Sequence, residues 1–251
     1  MAGHSKWAGI KHKKAVVDAQ RGKMFSKIVR EIMVAAKQGG GSPEANPRLR
    51  LTISKAREAN MPKDKIEQAI QKGTGELPGV SYEEMVMEGY GPGGVAILVQ
   101  ALTDNRNRTA AELRSLFTKH GGNVAGAGSV SWQFQKKGAV LVKASLIDED
   151  RLMGFVLEAG AEDIRLDGEA YTITTSPQDL ERVKQALSAN EIAWESADLT
   201  MVPSSTVRVD EQGPANQLLS LLDELEEHED VQHVFANFDI PDAILTAHAG
   251  A

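Results

Sequence analysis

The sequence predicts an α+β, multidomain protein: an N-terminal three-helix domain followed by two ferredoxin-like α+β domains, one inserted in the other. Three observations carry this reading. The first is the distribution of charge. The 251 residues have a formal net charge of −7, but residues 1–75 hold 16 Lys+Arg against 6 Asp+Glu, a balance of +10, and the remaining 176 hold 12 against 29, a balance of −17. The second is a change of period, from helical apolar spacing before residue 75 to short strand-like runs after Glu83. The third is an ordered alternation between Ala139 and Val202 that reads β-α-β-β-α-β, the split unit of ferredoxin-like folds.

Residues 1–14, MAGHSKWAGIKHKK, contain Lys6, Lys11, Lys13 and Lys14 and no acid before Asp18. Such a segment buries little and repels itself, so a flexible arm is expected. From Ala15 to Lys37 the pattern is helical. At about 100° per residue, Lys23, Lys27, Arg30 and Lys37 fall within about 80° of one another. Phe25, Ile28, Val29, Ile32 and Ala36 gather opposite them, giving an apolar face for a core and a basic stripe for solvent or a ligand. Gly39-Gly40-Gly41 ends this helix. A second helix opens at Asn46-Pro47, a cap residue followed by proline at the first helical position. It turns Leu49, Ile53 and Ala56 inward and leaves Arg48, Arg50, Lys55 and Arg57 outside. A third starts at Pro62 and stops before Gly73, with Ile66, Ala69 and Ile70 at core spacing.

Met85–Tyr90 and Val95–Leu102 read as two strands joined by Gly91-Pro92-Gly93. Gly89, Gly91 and Gly94 satisfy G-x-G-x-x-G, but the dinucleotide fingerprint needs a helix after the glycines and here a strand follows, so a hairpin turn is expected. A helix over Arg108–His120, a glycine-rich loop over Gly121–Gly128 and a strand over Ser129–Phe134 come next. Strand Ala139–Ala144, helix Asp148–Glu158, strands Asp163–Leu166 and Ala170–Thr174, helix Pro177–Ser188 and strand Asp198–Val202 make the alternating unit. Val207–Val209, a helix at Pro214–Glu227 and a strand at Gln232–Phe238 then combine with the pieces before residue 136 into a second unit of the same order. The expected boundaries are 1–77 for the basic helical domain with its arm, 78–136 with 204–240 for one α+β domain, 137–203 for the inserted one, and 241–251 for a C-terminal tail.

Several function classes fall away. Without cysteine there is no disulfide framework, Cys-ligated zinc, iron–sulfur cluster or thiol catalysis, which fits a reducing cytoplasm. No apolar run approaches the roughly 18 residues of a membrane helix, and no apolar stretch of a secretory signal follows the basic N-terminus. There is no G-x-S-x-G elbow, P-loop lysine motif or H-E-x-x-H. His228 and His233 are five residues apart, which on a helix separates their rings by about 140°. No catalytic residues, metal ligands or cofactor are expected, and the chain reads as a non-enzyme.

The positive expectation is binding to a polyanion. Lysines and arginines gathered on one face release condensed counterions from a nucleic-acid backbone and give affinity without sequence specificity. Trp7 among the lysines is placed to stack on an exposed base. The candidate nucleic-acid-binding residues are Lys6, Trp7, Lys11, His12, Lys13, Lys14, Arg21, Lys23, Lys27, Arg30, Lys37, Arg106 and Arg108. The last two sit in Thr103-Asp104-Asn105-Arg106-Asn107-Arg108-Thr109, which reads equally as a phosphate contact or as a helix-capping turn. The run Asp223–Asp230 places acids at a helix C-terminus, where the dipole disfavours them; it is either a solvated acidic face or a docking site for a basic partner.

AGHSKWAGIKHKK at 2–14, Asp18, RGKMFSKIVREI at 21–32 and NMPKDKIEQAIQKGTGE at 60–76 resemble the first domain of the YebC/PmpR family. EGYGPGGVAILV at 88–99, TDNRNRTAAELRSLFTKHGGN at 103–123, GSVSWQF at 128–134 and NFDI at 237–240 resemble its second. The resemblance spans essentially the whole chain, departs at Ser42 where members often have Asp, and leaves no room for a presequence before residue 2. It implies a helical domain plus two α+β domains, one inserted in the other, and a non-enzymatic regulator of gene expression in the cytoplasm. Some members are similar to DNA-binding transcriptional regulators; others, including a mitochondrial activator of cytochrome oxidase translation, are ribosome-associated factors that relieve stalling. DNA and ribosomal RNA, and with it the ribosome, are therefore both expected partners. Phosphate attraction does not separate them, although a lysine arm with one tryptophan and no evident recognition helix suits RNA. A third reading is a protein-docking scaffold acting through the acidic C-terminal helix. No membrane partner is expected, and the sequence specifies no oligomeric state.

Overall fold

The computed structural model describes residues 17–250, with side chains from 22 to 248. Helix α1 spans Val17–Gly39, α2 Pro47–Glu58 and α3 Lys63–Thr74. Their core is built from Ile28, Ile32 and Ala36 of α1, Leu49, Ile53 and Ala56 of α2, and Ile66 and Ala69 of α3, with Phe25, Val29 and Ile70 packed against it. These are the positions that helical spacing assigns to one face. Asn46 caps α2 by accepting the Leu49 amide at 3.0 Å, and its side-chain NH2 donates to Ala35 O at 2.8 Å and Gly40 O at 2.9 Å. One buried amide thus ends the first helix and begins the second.

The chain continues as β1 Glu83–Tyr90, β2 Ala96–Thr103, α4 Arg106–Lys119, β3 Asn123–Ala125 and β4 Phe134–Lys143. Helix α5 Glu149–Val156, β5 Ala161–Asp167, β6 Ala170–Thr175, α6 Leu180–Ala189 and β7 Ser196–Pro203 follow. Then come β8 Val207–Arg208, α7 Gln212–Glu227, β9 Val231–Ala236, β10 Phe238–Asp239 and α8 Asp242–Gly250. Among the described residues no helix is long and apolar enough to cross a membrane.

The chain forms two compact units. One takes residues 14–129 and 213–234, joining the three helices to a four-stranded sheet of order β3-β1-β2-β9. β1 and β2 are antiparallel from Glu83↔Thr103 to Tyr90↔Ala96. Leu113 and Phe117 of α4 and Leu218, Leu221 and Leu222 of α7 are fully buried, as are Ile97 and Val99 of β2. The other unit takes residues 130–212 and 235–251, with the sheet β5-β6-β4-β7 and the parallel pair β8–β10. Val140, Val142, Tyr171 and Ile173 pack under Leu152 and Val156 of α5 and Leu180, Val183 and Leu187 of α6. Every neighbouring strand pair of that sheet is antiparallel, so the β-α-β-β-α-β order read from sequence folds as the ferredoxin-like unit. The first sheet has the same spatial arrangement of two outer strands around a central pair, but the chain enters it differently. A hairpin comes before the first helix, giving β-β-α-β and then α-β, where the sequence had suggested the same linear order.

Three segments differ from expectation. Ser129–Phe134 is not a strand: Ser131–Gln133 is a 3₁₀ turn and β4 begins at Phe134. In a strand, residues 130, 132 and 134 would face one side. The turn, closed by Gln133 N donating to Val130 O at 2.9 Å, buries Val130 and Phe134 and leaves Trp132 exposed. Asn123–Ala125 inside the glycine-rich stretch adds a short strand to β1. Residues 242–250, expected as a tail, form α8, because Leu245 is fully buried and the amides of Ile244 and Leu245 donate to Pro241 O.

Candidate nucleic-acid interface

Lys6, Trp7, Lys11, His12, Lys13 and Lys14 lie outside the described residues, and Arg21 belongs to α1 with its side chain outside them. Lys23 and Lys37 are exposed on α1, Lys37 Nζ donating to Ser81 Oγ at 2.8 Å. The other two members of the stripe point elsewhere. Lys27 Nζ donates to Glu226 O at 2.9 Å, and Arg30 donates to Glu229 O. Arg30 also lies 3.3 Å from Asp230 Oδ1 and stacks 5.3 Å from the centre of the Tyr82 ring. Both cations therefore meet the carbonyl end of α7, where the helix dipole is negative and where a cation is stabilising.

Cations from α4 reach the same end. Arg108 Nη2 donates to Asp230 Oδ2 at 2.7 Å and to Asp104 Oδ1 at 2.9 Å, and the Thr109 hydroxyl donates to Asp230 Oδ2 at 2.6 Å. Burial by itself pushes the Asp230 carboxyl up. The Thr109 hydroxyl and the Arg108 and Arg30 charges outweigh that burial and hold it below the usual carboxylate range. The hydrogen bond to Asp230 holds the Arg108 guanidinium above its ordinary value. One turn earlier on α7, Glu224 receives Lys119 Nζ at 2.6 Å and lies 3.2 Å from His120 Nε2. The Lys119 bond keeps Glu224 below its ordinary value against the effect of burial, with His120 adding to it.

The acidic run Asp223–Asp230 is thus an internal counterface. Its charges and carbonyls receive Lys27, Arg30, Arg108, Lys119 and His120, which offsets the unfavourable placement of acids at a helix C-terminus. The segment 103–109 resolves into a capping turn. Asn105 Oδ1 accepts the Arg108 amide at 3.1 Å, and Thr103 Oγ1 accepts the Asn105 amide at 2.9 Å. Arg106 stays exposed, within 3.9 Å of Glu83 Oε2. An open cleft of about 600 Å³ adjoins this turn, walled by Tyr82, Arg108, Glu112 and His228. Ligand atoms of Glu112, His228 and Asp230 come within 4.8 Å of one another. Asp230 already faces two guanidinium groups there, so a metal ion would have to displace a cation to use it.

The glycines of G-x-G-x-x-G have a packing role. A Cβ on Gly89 would lie 2.6 Å from Phe117 Cε1 and 2.7 Å from Asn123 O, and one on Gly91 would lie 2.8 Å from Leu218 Cδ1. Helices α4 and α7 close onto the hairpin at these two positions, and no helix N-terminus follows the glycines to hold a pyrophosphate.

Among the described residues, Lys23, Arg57, Lys65 and Lys72 are exposed cations of the helical domain without an ion pair. The last three lay outside the predicted set. Their signal was the outward phase of α2 and α3, which carry fewer cations each than α1 and so formed no obvious stripe. Trp132, at 73% exposure, was also outside it; its alternating neighbours gave it the look of a strand residue.

Residues 5–76 match the profile described as the TACO1/YebC protein N-terminal domain, and residues 82–238 match that of the TACO1/YebC second and third domain. The chain belongs to the TACO1/YebC family. Its relatives in that family include proteins named "Probable transcriptional regulatory protein" from Dictyoglomus turgidum, 56% identical over 247 residues and 98% of each chain, and from Syntrophobacter fumaroxidans, 54% identical over 245 residues and 98% of each chain. A conserved hypothetical protein from Aquifex aeolicus has a crystal structure similar to this chain. It superposes with a TM-score of 0.81 at 50% identity, covering 90% of this chain and 93% of that one. The multidomain α+β architecture and membership of a family of named regulators are thereby established.

Proposed function

We propose that the protein is a non-enzymatic, cytoplasmic regulator of gene expression that binds DNA through the phosphate backbone, using its basic N-terminal domain. The supporting observation is the sorting of cations in that domain. Lys27 and Arg30 are spent on the acidic end of α7, while Lys23, Arg57, Lys65 and Lys72 stay exposed without acidic partners. The names of the relatives support transcription as the process. The acidic segment that a docking scaffold would use is already engaged by cations of the same chain.

The test is equilibrium binding of duplex DNA across a salt series, comparing the wild-type chain with Lys11→Ala/Lys13→Ala/Lys14→Ala. Each phosphate contact contributes about 0.9 to the logarithmic salt slope. The triple variant is expected to lose roughly 2–3 units of slope; unchanged binding and slope would remove the arm from the interface. A second reading, ribosomal RNA as ligand and relief of stalling as the process, is favoured by the exposed Trp132. Co-sedimentation with ribosomes that is lost in the arm variant supports it, whereas promoter footprinting without a ribosome signal supports transcription.

A further inference from the structure

The geometry points to the outer edge of β5 as an interface with a second copy of this chain, formed by two-fold antiparallel pairing of β5 with itself. This interface is independent of the nucleic-acid reading. β5 is an end strand of the sheet β5-β6-β4-β7, and among the described residues no strand pairs with its outer side. An edge of seven residues presents unpaired amides and carbonyls to any strand able to lie beside it.

The charges of this edge complement themselves. β5 reads Ala161-Glu162-Asp163-Ile164-Arg165-Leu166-Asp167. Ile164 packs against the core under the helices, so Asp163 and Arg165 on either side of it face away from them. Arg165 Nε donates to Asp163 Oδ2 at 2.7 Å, and both side chains are about half exposed. When two copies pair antiparallel about Ile164, Asp163 of each comes opposite Arg165 of the other, and the four charges alternate in sign. Sliding the pair by two residues puts Asp163 against Asp163 or Arg165 against Arg165, and like charges directly opposite are destabilising. Sliding it by one residue turns the helices of the two copies to opposite faces. The register centred on Ile164 is thus the one that satisfies both charge and face.

An apolar strip runs along the same edge on the helix side. Leu166, two residues after Ile164, shares its face and is 52% exposed. Helix α6 lies against β4 and β7 and packs beside α5, which leaves α5 over the β5 side of the sheet. Leu152 and Val156 of α5 point into the core, and Phe155 is half-buried against it. At about 100° per residue Met153 and Leu157 fall on the flank opposite Phe155, and both are exposed. Met153, Leu157 and Leu166 therefore border the free edge. Two-fold pairing sets the β5 strands about 4.8 Å apart and brings the strips of the two copies together. It removes from water an apolar surface that a single copy leaves in it.

The test is sedimentation velocity of the full chain over about 1–500 µM, a range that covers weak self-association. The wild-type chain is expected to shift from monomer towards dimer as concentration rises. Arg165→Asp and Asp163→Arg each place like charges opposite one another in the pair and are expected to weaken the dimer about tenfold or more. An equimolar mixture of these two variants is expected to dimerise again, since Asp-Ile-Asp then faces Arg-Ile-Arg. The double variant Asp163→Arg/Arg165→Asp is expected to dimerise as the wild type does, which also shows that the reversed charges leave the strand folded. Leu166→Ser is expected to weaken the dimer without changing the melting temperature. A wild-type chain that stays monomeric throughout overturns the interface. So does a dimer that both single variants retain, because it then forms through another face. Loss of the dimer in both variants without recovery in the mixture overturns the two-fold register about Ile164.

Discussion

Arg108 Nη2 and Asp230 Oδ2 lie 2.7 Å apart, although 122 positions separate them in the chain, and the same carboxylate faces Arg30 at 3.3 Å. Through Asp230, helix α1 of the helical domain and helix α4 of the sheet are held at one point. An exposed ion pair contributes little, but Asp230 is only 4% exposed on its side chain, so leaving it unpaired or leaving its partners without it is costly.

Replacing Asp230 with Asn keeps the shape and removes the charge. Asp230→Asn is expected to destabilise this unit by about 2 kcal/mol, less than the roughly 3–5 kcal/mol of a fully buried pair because Arg108 remains partly hydrated. The urea midpoint measures it. A change in midpoint within error of wild type would show that the two arginines find other acceptors.

The cations of α1 should separate by role. Lys27→Ala and Arg30→Ala are expected to lower the urea midpoint while leaving the salt slope of DNA binding unchanged. Lys23→Ala is expected to leave the midpoint unchanged and to reduce the slope by up to about 0.9. Salt titrations of the three variants, followed by fluorescence anisotropy, decide it. A loss of slope in Lys27→Ala would mean that its bond to Glu226 O opens when the ligand arrives.

His233 makes stability depend on pH. Burial, with the charges of Lys55 and Lys27 added, pushes its imidazole down to about 4 from an ordinary 6.5. Between these values the unfolded chain binds more protons than the folded one, so the contribution is full above pH 6.5 and declines as the pH falls towards 4. The whole decline is at most about 3 kcal/mol. His233→Gln should flatten the difference between urea midpoints at pH 7.5 and pH 5. Asp230 acts in a lower window, since its depressed carboxyl loses stability only as the pH falls below the ordinary 3.8.

Gly89→Ala is expected to destabilise the hairpin unit by about 1–3 kcal/mol, because the new methyl meets the fully buried Phe117 ring and the backbone carbonyl of Asn123, which is held in the β1–β3 pairing. Pairing it with Phe117→Leu should recover part of the loss. Titration with NADH is expected to give no binding to either protein, since the glycines serve helix packing.

The sequence by itself determined the elements whose signals are local. Ile28, Ile32, Leu49, Ile53 and Ile66 recur at helical spacing and are the core of the three helices. Asn46-Pro47 announces the second helix because capping and a fixed proline φ act over a single turn. The ferredoxin-like unit was legible for the same reason: each strand or helix between β4 and β7 carries its own periodicity. Two local patterns misled. The alternation around Trp132 looks like a strand until Val130 and Phe134 are seen to need burial together, and residues 242–250 look like a tail until Leu245 finds a core.

Tertiary structure alone decided what the charges are for. On a helical wheel Lys23, Lys27, Arg30 and Lys37 form one stripe of equals. In space, Lys27 and Arg30 reach acceptors 199 residues further along the chain. Periodicity reports which side of a helix a residue occupies, but not which partner the fold brings to that side. The acids of α7 were likewise readable as a charged run, and only the arrival of cations from α1 and α4 made that run an internal seam. The division of a chain with net charge −7 into a basic head and an acidic body was therefore written in the sequence. Which of those charges neutralise one another, and which remain exposed, was set by packing, because electrostatic pairing depends on distance and burial rather than on order along the chain.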